Sequence, residues 1–309
     1  MIHLGLTQPR LDSEAVSVLL DQLRTRLTQQ IENPDQFFSR ELSKTIFGNP
    51  IFHPLEVRDL EKVNIDTALE FIRSCQNPAD YAFVFTGSLD AGVMRPLIET
   101  YLASVPMKVF SFDDWADVDY MRPVKVQREV FKGREQRSSV CETWFTPMEF
   151  TDEASAAVAA LDEYLNIVLN DEIRESLGGV YSISAWVSLS PLPRGELSGG
   201  FYFICNPERA ADLAAAAVEK IREVALGRID EDILAKSREA LIMGQEQSVQ
   251  SNLYIAQSYA NSAVIYNSPL SRLDRRPELY QAVSAEDLQN IAVLLINGGS
   301  ARMILYPEE

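Results

Sequence analysis

Arg174 and Tyr181 stand seven positions apart in the stretch Asn170-Asp171-Glu172-Ile173-Arg174-Glu175-Ser176-Leu177-Gly178-Gly179-Val180-Tyr181-Ser182-Ile183. A guanidinium is a planar, permanently charged donor, and a phenol both donates and accepts. Together they suit a peptide carbonyl or a developing oxyanion. The pattern predicts a long helix ending at the Gly178-Gly179 pair, which supplies a left-handed cap, followed by a strand from Val180. Such a turn can bring the two side chains to one side of a sheet. Spacing alone fits a structural role as well, because an arginine at a helix C-terminus favours the dipole and a tyrosine opening a strand is common.

Other chemistries are poorly served. The two histidines, His3 and His53, lie fifty residues apart and form neither His-x-x-Glu-His nor His-Glu-x-x-His, so the three-ligand geometry of a catalytic zinc is not encoded here. No Gly-x-Ser-x-Gly elbow occurs, and the pairs Gly178-Gly179 and Gly298-Gly299 lack the spacing of a phosphate cradle. Cys75, Cys141 and Cys205 are odd in number and widely separated, which predicts packed thiols rather than a disulfide framework. Carboxylate pairs such as Asp171-Glu172 and Glu308-Glu309 read as solvated face. With 28 Lys and Arg against 45 Asp and Glu, the net charge is 28 − 45 = −17, which opposes nucleic acid and anionic membranes as partners. No apolar run reaches the roughly 18 to 20 residues of a membrane span, and the first residues do not pattern as a signal peptide, so a soluble chain is expected.

The elements that would carry these residues repeat along the chain. At 309 residues and 46% hydrophobic content, two domains are expected. Ile2 to Arg10 reads as a strand end closed by Pro9, followed by an amphipathic helix over Ser13–Gln30. The same order returns where Gly200 to Ile204 leads through Pro207 into an Ala-rich helix from about Ala210 to Leu226, an offset of 198 positions between the prolines. An apolar helical segment over Pro54–Ala79 precedes a predicted strand Tyr81–Phe85. Its counterpart is a helix over Leu279–Leu288 preceding a strand Arg302–Tyr306. A fixed offset means duplicated architecture. Only the second copy has an additional front block: strands Val124–Phe131 and Ser138–Phe145, a helix Thr151–Glu175, and strands Val180–Val187 and Leu197–Ile204. The expectation is an α+β fold with a mostly antiparallel sheet covered by helices. Residues 1–110 would be a truncated repeat, 111–123 a linker, and 124–309 a complete repeat.

The segment Ile173-Arg174-Glu175-Ser176-Leu177-Gly178-Gly179-Val180-Tyr181-Ser182-Ile183 resembles the arginine-to-tyrosine segment of the pitrilysin/insulinase-like zinc peptidases. The resemblance extends over nearly the whole chain and is closest to long bacterial members with four repeats in one polypeptide. It implies a half-domain and a complete domain from the C-terminal part of such a protein. Zinc, bound by an inverted His-x-x-Glu-His and a distant glutamate, would lie in an N-terminal half outside this chain. Arg174 and Tyr181 would bind substrate backbone, with no metal ligand and no catalytic residue here. Family members often carry a basic run after the arginine, whereas this chain reads Glu175-Ser176-Leu177-Gly178.

On that resemblance the chain is a non-catalytic, substrate-binding part of a zinc endopeptidase acting on peptides or unfolded polypeptides, in a cell-envelope compartment. Its partners would be the peptide and the N-terminal catalytic half. A homo-oligomer formed through the truncated repeat is a further expectation. The alternative is a scaffold or assembly module of a proteolytically inactive relative, which an intact His-x-x-Glu-His in the N-terminal half would exclude.

Overall fold

Five strands, β1 (Lys125–Phe131), β2 (Ser138–Pro147), β3 (Val180–Ser190), β4 (Glu196–Cys205) and β5 (Gly299–Tyr306), form a sheet of order β1-β5-β2-β4-β3. The parallel β1–β5 pair is joined to an otherwise antiparallel arrangement. The computed structural model describes residues 2–9, 12–75, 81–106, 118–176, 180–265 and 270–308, with backbone only at 174–176, 181, 182, 263, 264 and 270. Two compact units emerge, and neither is one continuous stretch. One comprises Met1–Ile31, Leu55–Ala116 and Ser251–Asn267, the other Glu32–Pro54, Asp117–Gln250 and Ser268–Glu309.

The second unit contains the sheet. In chain order the helices are α1 (Ile2–Thr7), α2 (Ser13–Glu32), α3 (Pro34–Ile46), α4 (Ile65–Cys75), α5 (Ala91–Tyr101), α6 (Asp152–Leu169), α7 (Ala210–Ala225), α8 (Glu231–Ser248), α9 (Asn252–Val264), α10 (Arg276–Ala282) and α11 (Ala285–Ile296). Helices α6, α7 and α11 cover one sheet face, where Val140, Trp144, Phe201, Phe203 and Ile304 point into the main core. Ala210, Ala214 and Ala217 on α7 are fully buried, and their small side chains let helix and sheet approach closely. On the opposite face Phe38 of α3 packs with Val130, Cys141, Met303 and Leu305. Helix α3 starts as its sequence dictates: Asn33 accepts from Gln36 N at 3.0 Å and Pro34 occupies the first turn.

The sheet carries an ion pair on its helix-covered face. Glu142 on β2 faces Arg302 on β5 across one rung, with N–O separation 2.6 Å. Burial pushes the Glu142 carboxyl above its ordinary value of 4.5, against the opposing pull of Arg302. A second cluster surrounds Arg122. Its guanidinium lies 4.3, 4.4 and 4.1 Å from the ring centres of Phe47, Tyr120 and Phe145, and its Nε and Nη2 donate to Glu196 at 3.1 and 2.7 Å. This clasp lies at the end of the expected linker, which is described only from residue 118 onward.

In the first unit α2 runs Ser13–Glu32, close to its predicted span. Two expected strands are corrected. Residues 2–7 are helical, with Gln8 N donating to Leu4 O at 2.8 Å and Thr7 Oγ1 to His3 O at 2.7 Å. Residues 81–86 belong to no ladder. The reason is common to both: a strand needs a neighbour, and no β-ladder is present among the described residues of this unit. Two helix expectations also change. The helix expected over 279–288 divides into α10 and α11, because Ser284 and Asp287 form a capping box that starts a new helix. The helix expected to run to Glu175 is regular only to Leu169. Cys141 and Cys205 are packed thiols, whereas Cys75 is exposed at the end of α4 and corrects that expectation.

Candidate substrate-binding corner

The site begins with α6. Thr151 caps it by accepting from Ala154 N at 3.0 Å, and Asp152 and Glu153 complement the dipole in the first turn. Most of its length faces the core through residues such as Ala157, Leu161, Tyr164, Leu165 and Val168. One stripe does not. Asp162, Asn166 and Asn170 recur every fourth residue and therefore line one side of the helix.

That stripe meets β3, an outer strand of the sheet. An outer strand presents backbone N–H and C=O groups without ladder partners. Here the helix supplies them. Val187 N donates to Asp162 Oδ1 at 2.7 Å, Ala185 N donates to Asn166 Oδ1 at 3.0 Å, Asn166 Nδ2 donates to Ala185 O at 3.1 Å, and Asn170 Nδ2 donates to Ile183 O at 3.1 Å. The Asn166 amide thus gives and takes as a neighbouring strand's peptide group would. Burial pushes the Asp162 carboxyl upward, opposed by the hydrogen bond from Val187.

Regular structure stops on both sides of residues 177–179. Asn170–Ser176, which contains Arg174, is a π-helical turn anchored by the fully buried Ile173. On the other side Val180 pairs with Cys205 and Ile183 with Phe203, so three steps on β3 match two on β4. Tyr181 and Ser182 occupy this bulge. The backbone therefore sets Arg174 and Tyr181 on consecutive elements, the π-helical turn Asn170–Ser176 and β3. Their side chains, and the Gly178-Gly179 cap expected between them, lie outside the described residues. The polar row along α6 and its C-cap was missed in the sequence, though its signal is present: Asp162, Asn166 and Asn170 recur at four-residue spacing among mostly apolar neighbours.

Among the described residues no group of three or more His, Cys, Asp or Glu could hold an ion. His3 Nδ1 donates to Tyr101 O at 3.0 Å and His53 Nε2 donates to Phe47 O at 2.8 Å, so each ring spends one nitrogen on a carbonyl. Cys141 and Cys205 lie in the cores on opposite sheet faces. Burial pushes their thiols up to about 12 and about 11, far from thiolate ligands. Among the described residues, then, no donor set suited to a zinc ion is brought together. No helix is long and apolar enough to cross a membrane among the described residues.

Comparison with known proteins agrees with this picture. A family model described as the peptidase M16 inactive domain matches residues 62–241. A protein described as "Zinc protease PQQL-like" from Arabidopsis thaliana is 25% identical over 258 residues, covering 78% of this chain and 27% of the relative. The crystal structure of the periplasmic protease PqqL from Escherichia coli superposes with a TM-score of 0.78 at 20% identity, covering 94% of this chain and 32% of that one. The ferredoxin protease FusC, solved as a variant in complex with Arabidopsis ferredoxin, superposes with a TM-score of 0.72 at 20% identity and the same coverages, 94% and 32%. These structural likenesses show the fold. The chain spans only 27% of the Arabidopsis relative's length. With more than half of its residues matched by the family model, the chain belongs to the peptidase M16 family as its inactive, C-terminal type of domain.

Proposed function

We propose that this chain is the substrate-binding part of a zinc-dependent endopeptidase that hydrolyses peptides or unfolded polypeptides, and that Arg174 and Tyr181 contact the substrate backbone. The observation that carries the reading is where these residues fall. Each sits where regular backbone is broken, Arg174 in a π-helical turn and Tyr181 in a β-bulge. Such irregularities recur at functional sites because they re-aim side chains that an ideal helix or strand would point elsewhere. A polypeptide ligand is in keeping with FusC, solved with ferredoxin bound, and an envelope compartment is in keeping with the periplasmic PqqL.

In this reading zinc and its ligands belong to an N-terminal half of the same polypeptide, and that half is the partner. The division into a truncated repeat over 1–110 and a complete one over 124–309 belongs to the same proposal. It is supported by the contrast between β5, paired on both sides by β1 and β2, and its repeat counterpart 81–86, paired on neither. Strands from the preceding half would complete that edge, and a second copy would use the same edge when they are absent.

The test is the affinity of the chain for labelled extended peptides, measured by fluorescence anisotropy for wild type, Arg174→Ala and Tyr181→Phe. Each variant is expected to bind roughly three- to tenfold more weakly, the loss of one hydrogen bond to a peptide group. Equal binding by wild type and both variants, or no binding by wild type, overturns the proposal in favour of a scaffold module.

A further inference from the structure

We infer that the row Asp162–Asn166–Asn170 is the positioning device of the substrate-binding corner, acting as a surrogate strand that locks the register of α6 against β3. The inference rests on the proposed role of Arg174 and Tyr181, since it says what holds the segments bearing them.

Four hydrogen bonds between 2.7 and 3.1 Å join three side chains of the row to alternate residues 187, 185 and 183. The match is geometric. Four helical residues rise about 6.0 Å and two strand residues about 6.7 Å, so successive rungs drift by only ~0.7 Å. Three rungs stay within hydrogen-bonding range, but a fourth would be displaced by ~2 Å, more than a hydrogen bond tolerates. Both elements lose regularity at that point, at Asn170–Ser176 on the helix and between Val180 and Ile183 on the strand. The rungs thus fix how far the helix has advanced relative to the strand when the chain enters the corner. Ala185 and Val187 also spend their N–H groups on the row, so a peptide cannot use these donors to add as a strand there.

A row that only shields an exposed edge would stabilise the fold without affecting recognition. A double-mutant cycle in the full chain separates the two roles. Asn166 lies two helical turns before Arg174, so its removal does not take away a direct contact to peptide bound at Arg174. Anisotropy with a labelled extended peptide and thermal melting by circular dichroism are measured for wild type, Asn166→Ala, Arg174→Ala and the double variant. Asn166→Ala is expected to weaken peptide binding roughly threefold to tenfold in the wild-type background. In the Arg174→Ala background it should weaken binding no further, while lowering the melting temperature equally in both. Equal weakening in both backgrounds, or none in either, overturns the inference and leaves the row as edge protection. Loss of the Arg174→Ala effect itself, or absence of wild-type binding, instead overturns the substrate-binding reading and the inference with it. Should Asn166→Ala fail to fold, Asn166→Ser, which keeps a shorter donor, takes its place with the same outcomes.

Discussion

Strand β5 and segment 81–86 are built from similar residues, Arg302-Met303-Ile304-Leu305-Tyr306 in one and Tyr81-Ala82-Phe83-Val84-Phe85 in the other, yet only one is a strand. Between β1 and β2 every rung of β5 is paired and Met303 is fully buried. In 81–86 no rung exists, and Tyr81, Phe83, Val84 and Phe85 stay 46%, 39%, 36% and 42% exposed. An apolar run therefore specifies a readiness to pair, and the neighbours decide whether a strand results.

The largest effect expected from this contrast is on stability. Met303→Ala should cost about 2–5 kcal/mol, because it empties a site packed between Phe38, Val130 and Cys141. Phe83→Ala, in the middle of segment 81–86, should stay within about 0.5 kcal/mol despite the larger side chain removed. Chemical denaturation followed by circular dichroism checks both. Equal costs would mean that 81–86 is packed as tightly as β5.

Next comes the ion pair on β5. Arg302→Ala leaves Glu142 in the interior without its partner, at a cost of about 3 kcal/mol near neutral pH. The sign with pH follows from burial, which raises the folded-state pKa of Glu142. Removing Arg302 raises it further. A group raised in the folded state contributes its stability below its unfolded value, ordinarily 4.5, and that contribution is lost as pH rises through the folded value. The variant should therefore be less destabilised relative to wild type near pH 4 than at pH 7. A pH-independent difference would contradict the burial account.

A smaller, chemical contrast separates the two units. Cys75 is exposed, whereas Cys141 and Cys205 are buried with thiols raised to about 12 and about 11. Native protein should take up maleimide rapidly at Cys75 and slowly at the other two, as peptide mapping would show. Rapid labelling of Cys141 would mean that α3 leaves its sheet face readily.

Much of the second unit was legible before the structure. Alternation and turn residues located all five strands within a few positions. What failed in the first unit failed for want of partners, since residues 2–7 and 81–85 carry strand-like patterns with no neighbour to pair. Within α10 and α11 the capping residue Ser284 was overridden by the apolar periodicity on either side of it. The start of α3 at Asn33-Pro34 was written in the sequence and passed over, because only the structure reveals that its Phe38 covers the second sheet face. For Arg174 and Tyr181, spacing alone fitted a structural role as well, and the family resemblance is what pointed to substrate. The supporting row stayed hidden because its partners are backbone groups 13 to 25 residues further along, which no periodicity specifies.

The central claim is that this chain grips substrate and leaves metal chemistry to another part of the polypeptide. Its most direct test is the zinc content of the purified chain after dialysis against zinc-containing buffer, measured by atomic absorption alongside cleavage of a fluorogenic peptide. The account predicts zinc far below one equivalent and no cleavage above the rate without protein. Near one equivalent of bound zinc, or cleavage abolished by a chelator, would contradict it.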